Sequence, residues 1–491
     1  MEDVNVKTDG GGTVTLDEAA LKTLQIKLSG RLLTPASKEY DDARTIWNGM
    51  IDRRPSLIVR CLNAEDVVQA VHLAAQRQLV LAVRGGGHNI AGNAVCDGGL
   101  MIDLSQMKAV HVDADQRTAR VEAGATLGDF DRETQAFGLA TPLGINSTTG
   151  IAGLTLGGGF GWLSRSLGLS IDNLISADVV TAAGNQVTAS ESEHADLFWA
   201  IRGGGGNFGI VTSFEFRLHP VGPEVLSGLI VHPLSAARDV LHFYRDFIRD
   251  APEEFACWFV LRKAPPLPFL APEWHGKEIL ALALCYAGAM ADGESVAKPL
   301  RDFGKPLADV VAPHPFTVWQ TILDPLLAPG ARNYWKSHDF RELGDGLIDV
   351  LIDAARHIPD PQTEIAFAHL GGAIARVPND ATAYGHRDAQ FVLNVHGRWA
   401  DPMKDGECIG WARGLFDAAA PFATGAVYVN FLTQDEQDRI RAAYGANYDR
   451  LALLKRKYDP ANLFRMNQNI KPAASVSESH HDARPSAGPP L

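Results

Sequence analysis

The chain has 491 residues, 46% of them apolar and 21% charged, a globular composition too long for one ordinary core. Its 58 acidic and 45 basic side chains give a formal charge of −13, and the sequence has no basic run, which argues against nucleic acid or an anionic membrane as a partner. Five scattered cysteines form no CxxC pair, so neither a disulfide framework nor a metal site is expected. With no apolar leader and no apolar run near the ~20 residues of a membrane helix, the expectation is a soluble cytoplasmic protein.

PSLIVRCL, residues 55–62, is an apolar β-type run. Asn63 then stands where an N-cap belongs, ahead of a helix with Val67, Val68, Val71 and Ala75 at helical spacing. LVLAV, residues 79–83, reads as a buried strand entering three glycines and a histidine in RGGGHNIAG, residues 84–92. Strand, helix, strand and glycine loop is the layout of an α/β nucleotide site. Short strands are expected at 100–104, 109–113 and 118–124, followed by a helix closed by Gly138.

A second glycine-rich passage, GINSTTGIAGLTLGGGFGWLSRSLG, covers 144–168. A third, IRGGGGNFGIVTSFEFRLHP at 201–220, leads into an alternating strand. From 221 to about 425 the glycine loops thin out. GLIVHPL, ACWFVLRK, LALALCYAG and FVLNVHGRW alternate there between helical runs, which predicts an antiparallel sheet with helices. The expected division is a glycine-loop, nucleotide-type domain at 1–220 with its core at 55–220, a second domain at 221–425, a C-terminal segment at 426–472, and a disordered Ser/Pro-rich tail at 473–491.

No glycine loop is followed by GK[ST], and none fits a strict GxGxxG opening a helix, so Walker and standard Rossmann sites are not supported. One such loop alone reads first as a tight turn. Three together suit a long ligand approached by bare backbone, with a pyrophosphate held by main-chain N–H groups as the natural candidate.

These loops, with GGLMIDLSQM, GATLGDF, ADVVTAAG, DLFWAIRGGGGNFG and the terminal YDPANLFRMNQNI, resemble the berberine bridge enzyme group of flavin-linked oxidases in the vanillyl-alcohol oxidase/PCMH-type superfamily. The resemblance covers about 55–472. It implies an α+β, two-domain PCMH-type FAD-binding fold: an α/β FAD domain and a substrate domain built on an antiparallel sheet covered by helices. It further implies FAD contacts from Arg84, Gly85, Gly86, Gly87, His88, Asn89 and Gly92 in the first loop. The second loop would contribute Asn146, Ser147, Thr149, Gly150, Gly153, Gly157, Gly158 and Gly159. Gly209, Ile210 and Val211 would follow from the third loop, and Asn467 and Asn469 from the C-terminus. His88 falls where the family bonds the flavin 8α-methyl. Asn146 falls where two-bond members carry a cysteine, so the chain resembles the single-bond branch of 6-hydroxy-D-nicotine oxidase-like enzymes, with FAD covalent through His88 and no cysteinyl bond. The small Thr149 stands where a loop residue controls oxygen access, which favours an oxidase.

Oxidation by flavin needs a hydride acceptor and a group to take the heteroatom proton. In GGAIAR, residues 371–376, Arg376 stands where plant members of the family carry a glutamate base, which makes alkaloid ring closure doubtful. Tyr428 and Asn430 match the YxN motif of carbohydrate-oxidising relatives, so Tyr428 is the candidate base, although a phenol near pKa 10 needs help at neutral pH. NYWKS (333–337) and Trp399 are candidate pocket lining, and His386 and Arg387 are read as structural. The expected function is an FAD-dependent oxidase that takes a hydride from a C–O or C–N bond of a sugar, alkaloid or other secondary metabolite and passes the electrons to O2, giving H2O2. A dehydrogenase of the same fold with another acceptor, and a silent FAD-binding ligand sensor, are the alternatives.

Overall fold

The structure is a computed structural model that describes residues 2–474. The expected first helix forms as Ala64–Arg77, and the Asn63 side chain fixes its start by accepting the Asp66 N–H at 3.0 Å. Its buried face lies against a four-stranded sheet. In that sheet Leu100–Asp103 is flanked in parallel by Leu57–Arg60 and Leu81–Arg84, with Arg31–Leu33 antiparallel at the edge. The order lets Leu81–Arg84 deliver the first glycine loop from the carboxyl end of a parallel strand, where α/β sheets bind ligands.

The third glycine passage runs into Ile210–Arg217, the middle strand of a five-stranded antiparallel sheet, between Leu174–Val180 and Thr118–Glu122. Both sheets share one apolar core. That core also takes in a hairpin, Val4–Lys7 and Thr13–Leu16, and the helix Glu18–Lys27, which the sequence reading did not anticipate.

The second unit is an eight-stranded antiparallel sheet. Its order along the main path is Ala308–Asp309, Glu224–Pro233, Glu278–Tyr286, Phe255–Lys263, Glu364–His369, Phe391–Trp399 and Arg332–Phe340, with Ala312–Pro315 pairing the second of these. Period-two alternation gives the sheet two different faces. Phe255, Cys257, Phe259 and Leu261 of one strand, and Leu280, Leu282 and Leu284 of the next, pack under the helices Ala237–Asp250, Met290–Asp302, Asp345–Ala355 and Asp405–Ala419. Trp258, Val260, Arg262, Ile279, Ala281 and Ala283 point the other way, toward the glycine loops.

The chain then returns. Val427, Leu432, Leu451, Phe464 and Ile470 all join the first core. The terminal polar helix is two helices, Ile440–Tyr444 and Tyr448–Tyr458, broken at Gly445, whose φ is +52°. Lys455 on the second is fully buried. It pairs with Asp459 at 2.6 Å and donates to the Asn207 carbonyl at 2.8 Å, tying this segment to the third glycine loop. The tail expected to be disordered from 473 is tied down at its start, where the Ala473 N–H donates to the Ala452 carbonyl and Arg456 reaches the carbonyl of Ala474. Its remainder, 475–491, lies outside the described residues. All five cysteines are free and buried.

Candidate active site

A cavity of about 420 Å³ lies between the two units, walled on one side by the glycine loops and on the other by the open face of the large sheet. The first two loops meet backbone to backbone. A Cβ built on Gly86 would overlap the N and Cα of Gly150, and one on Gly150 would overlap Gly86. Gly87 adopts φ +70°, so the chain turns there and presents His88. A methyl group at Gly86 has nowhere to go without separating the loops. Gly86→Ala is expected to cost about 1–3 kcal/mol, the typical penalty for overpacking, read as a lowered thermal midpoint.

Of the expected FAD contacts, Gly85, Gly86, Gly87, His88, Asn89, Asn146, Thr149, Gly150, Gly153, Gly209, Ile210, Val211 and Asn467 line the cavity. Seven do not, and local packing explains each. The Arg84 guanidinium turns back to the Ala43 carbonyl. Gly92 lies against Ile51, and its carbonyl accepts from Arg53 at 2.7 Å. Ser147 donates its N–H and its hydroxyl to Asp324 across the unit boundary. Gly157 abuts the Asn430 side chain and Gly158 the Tyr384 ring. Gly159 abuts Ser170, and its N–H donates to the Tyr428 hydroxyl oxygen at 3.1 Å. Asn469 is outside the lining, its amide oxygen buried without a partner.

The sequence reading missed Trp47, Asn93, Gly205, Gly206, Asn207 and Gln468, which also line the cavity. Gly205 and Gly206 lay within the third glycine passage and could have been named from it. Trp47 had no local signal.

The walls fit an extended cofactor with a diphosphate. A Cβ on Gly153 or Gly206 would meet nothing within 4 Å, so two stretches of bare backbone face open space. Asn467 donates its amide to Gly206 O at 3.2 Å and Phe464 O at 2.9 Å, while its own oxygen, like that of the Gln468 side chain, is buried and unpaired. Both residues line the cavity, so donors of a ligand bound there would meet these acceptors.

His88 stands where the two walls meet. Trp47 stacks on it with ring centroids 4.9 Å apart and planes 23° apart, and the Trp47 indole N–H is anchored on Leu327 O at 2.9 Å. Burial, helped by the nearby Arg398 charge, pushes the His88 pKa down to about 3, so the imidazole is neutral at physiological pH. From Trp47 a belt of rings continues through Trp335 at 5.7 Å and on to Phe431, Tyr428 and Phe160.

Tyr428 is buried in this belt. Its oxygen accepts the Gly159 N–H at 3.1 Å and the Asn430 amide at 2.9 Å, and Asn430 also donates to the carbonyls of Gly153 and Leu154. Burial pushes the phenol up to about 12 despite those two donors.

Arg376 does not stand at the site. GGAIAR forms the short helix Ala373–Arg376, and Arg376 pairs with Glu253 at the surface. The polar groups that do face the cavity come from the neighbouring strands. Glu364 is bonded to Arg262 at 2.5 Å and to His396 Nδ1 at 3.2 Å. Burial works to raise the Glu364 carboxyl, but Arg262 and His396 outweigh it and hold it at about 2. Asn394 faces the same space. Trp335 of NYWKS is a wall residue, as expected, but Trp399 is not. It shares the strand parity of Leu393 and Val395, lies in the core beneath the helices, and donates to Asp405 at 2.8 Å. Arg387 is structural as expected, gripping Asp172 at 2.7 and 2.8 Å, and His386 bonds the Ala442 carbonyl at 2.8 Å.

Residues 55–190 match the family model described as an FAD binding domain, and residues 427–471 match the berberine and berberine-like model. An FAD-linked oxidoreductase of Dictyostelium discoideum is 33% identical over 91% of this chain and 95% of its own length. (R)-6-hydroxynicotine oxidase of Paenarthrobacter nicotinovorans is 31% identical over 92% of this chain and 98% of its own. Among solved structures, 6-hydroxy-D-nicotine oxidase from Arthrobacter nicotinovorans aligns at a TM-score of 0.82 and 28% identity, covering 91% of this chain and 98% of that one. A berberine bridge enzyme-like protein of Physcomitrella patens aligns at 0.83 and 26%, covering 93% and 100%.

Proposed function

Because the chain belongs to the berberine bridge enzyme-like family of FAD-linked oxidoreductases, we propose that it is an oxidase that takes a hydride from a C–O or C–N bond of an apolar small molecule, reduces O2 to H2O2, and holds its FAD covalently through His88. The observation that carries this reading is the cavity itself, where bare glycine backbone faces an apolar sheet and a neutral histidine stands at the junction. Bound there, FAD supplies the hydride acceptor and the site of reaction with dioxygen.

The residues of the chain do the rest. The loops around Gly85–Gly87, Gly150 and Gly206 leave main-chain groups open to a diphosphate. Asn467 and Gln468 offer acceptors to a ligand's N–H groups. Tyr428 is the proton acceptor of this reading, because two N–H groups converge on its oxygen and partly offset the burial that disfavours the phenolate.

The sheet face sets the substrate's character. Leu229, Val231, Val260, Ile279, Ala281 and Val392 offer no hydrogen bond, and the one carboxylate there, Glu364, is already neutralised by Arg262 and His396. An oligosaccharide's many hydroxyls would lose their water on such a wall without replacement. A flat, largely apolar ring system keeps its contacts. The name of the Paenarthrobacter relative, an oxidase of a hydroxylated nicotine, supports that choice. The partners of this reading are a small molecule and dioxygen. No helix among the described residues is long and apolar enough to cross a membrane. The buried unpaired thiols support our reading of a reducing compartment, the cytoplasm.

The test is anaerobic mixing of the purified protein with pools of aromatic amines and alcohols, with oligosaccharides in parallel, followed by admission of air. The expected result is flavin bleaching by the aromatic pool, then rapid recolouring with stoichiometric peroxide. Reduction followed by recolouring over many minutes would make it a dehydrogenase with another acceptor. Bleaching only by sugars would overturn the substrate reading.

A further inference from the structure

Among the described residues the His88 side chain has one hydrogen-bonding partner. Its Nε2 lies 3.0 Å from Thr148 Oγ1. The Thr148 hydroxyl has a single proton, and that proton is directed at Asn146 Oδ1, 2.6 Å away. The same Asn146 oxygen accepts the Thr148 backbone N–H at 3.0 Å. An N–H can only donate, so this second bond fixes which end of the Asn146 amide faces Thr148. The consequence runs back along the chain of bonds. With its proton committed to Asn146, Thr148 Oγ1 can only accept from His88, so Nε2 must carry the imidazole hydrogen. In a neutral ring the lone pair is then on Nδ1. Among the described residues Nε2 is the ring nitrogen that meets a protein partner, and His88 lines the cavity. The Trp47 stack holds the plane of the ring while Thr148 holds its edge.

We infer that Asn146 and Thr148 are positioning residues for attachment of the cofactor: together they lock His88 as the Nε2–H tautomer and present Nδ1 as the bonding atom. This rests on the reading that His88 carries the FAD. Nδ1 forms the new bond to the flavin 8α carbon, which gives up one proton. The imidazole gives up its Nε2 proton, and the two electrons left on the ring system pass to dioxygen, which takes both protons and leaves as hydrogen peroxide. Asn146 thereby has a task of its own at the loop position where two-bond relatives place a cysteine. It makes no bond to the flavin and instead prepares the histidine that does.

The test uses the full-length protein, sampled at intervals after induction. Total bound flavin is read by absorbance, and the acid-stable share by in-gel fluorescence. The attachment nitrogen is read by NMR of the proteolysed histidyl-flavin. The wild type is expected to become fully acid-stable with the bond on Nδ1. Thr148→Val removes the acceptor and is expected to slow covalent gain about tenfold, the ratio that loss of one hydrogen bond to the reactive tautomer supports. Total bound FAD and the melting temperature should stay near wild type. Thr148→Ser restores the rate. Asn146→Ala, which frees the Thr148 proton to turn toward His88, falls between them. A wild type that releases its flavin in acid refutes the covalent reading and this inference with it. A covalent wild type with a Thr148→Val variant that fills at the same rate, or a bond found on Nε2, overturns the positioning role alone.

Discussion

Tyr428→Phe is expected to slow the reduction of the flavin by substrate about 10²–10⁴-fold, the usual contribution of a positioned general base. Phenylalanine keeps the ring and its edge contacts with Phe160 and Phe431, so packing changes little. It removes the one oxygen on which Gly159 N–H and Asn430 converge. Reoxidation by O2 should stay near the wild-type rate, because the role proposed for Tyr428 is on the substrate proton. The raised phenol pKa adds a pH signature. With the group near 12, only a small fraction is phenolate at neutral pH, and that fraction grows about tenfold per pH unit below the pKa. The wild-type reduction rate should therefore climb from pH 7 toward pH 11, and the climb should vanish in Tyr428→Phe. A rate within about threefold of wild type, at unchanged FAD content, would reduce the phenol to a wall of the chamber, since a general base contributes far more than that.

His88→Ala is expected to take acid-stable flavin from all of the bound cofactor to none. The glycine loops, Asn467 and Gln468 do not involve the imidazole, so FAD should still co-purify and be released by acid. The variant also removes the ring against which Trp47 stacks, and with it the group that closes the junction between the walls. Reduction by substrate should slow through the loss of both the bond and the stack. His88→Ala protein that still carries acid-stable flavin would place the attachment elsewhere. Below its pKa of about 3 the His88 ring is protonated and its lone pair is lost. Attachment should therefore be insensitive to pH from about 5 to 9, unlike the reduction step proposed to depend on Tyr428.

Much of the fold was legible in the sequence because it depends on local periodicity. Asn63 announced its helix by a capping geometry that needs only three following residues. The alternation in FVLNVHGRW already separated Leu393 and Val395 from Asn394 and His396, and the sheet kept that separation. By the same parity Trp399 belonged with the helix-covered face, so its assignment to the pocket was correctable from the sequence. The resemblance picked out glycine loops and a histidine that the fold brings to one cavity, since backbone approach to a ligand demands glycine at particular positions.

What the sequence could not rank was which members of a glycine run face the ligand. Gly86 and Gly153 look alike in the chain, yet one touches Gly150 and the other faces open space. Gly157, Gly158 and Gly159 are bare because Asn430, Tyr384 and Ser170 come against them, and two of those partners lie more than two hundred residues away in the chain. Arg376 likewise matched a motif by position, but a short helix carried it to Glu253 at the surface while Glu364 took up the place facing the cavity. Trp47 reaches His88 only because the first loop folds back over residues that carry no motif. Periodicity, caps and glycine runs are written in neighbouring residues and can be read one at a time. Which side chains surround a given atom, and therefore its tautomer, charge and reactivity, depends on contacts between distant segments, and only the folded chain sets them.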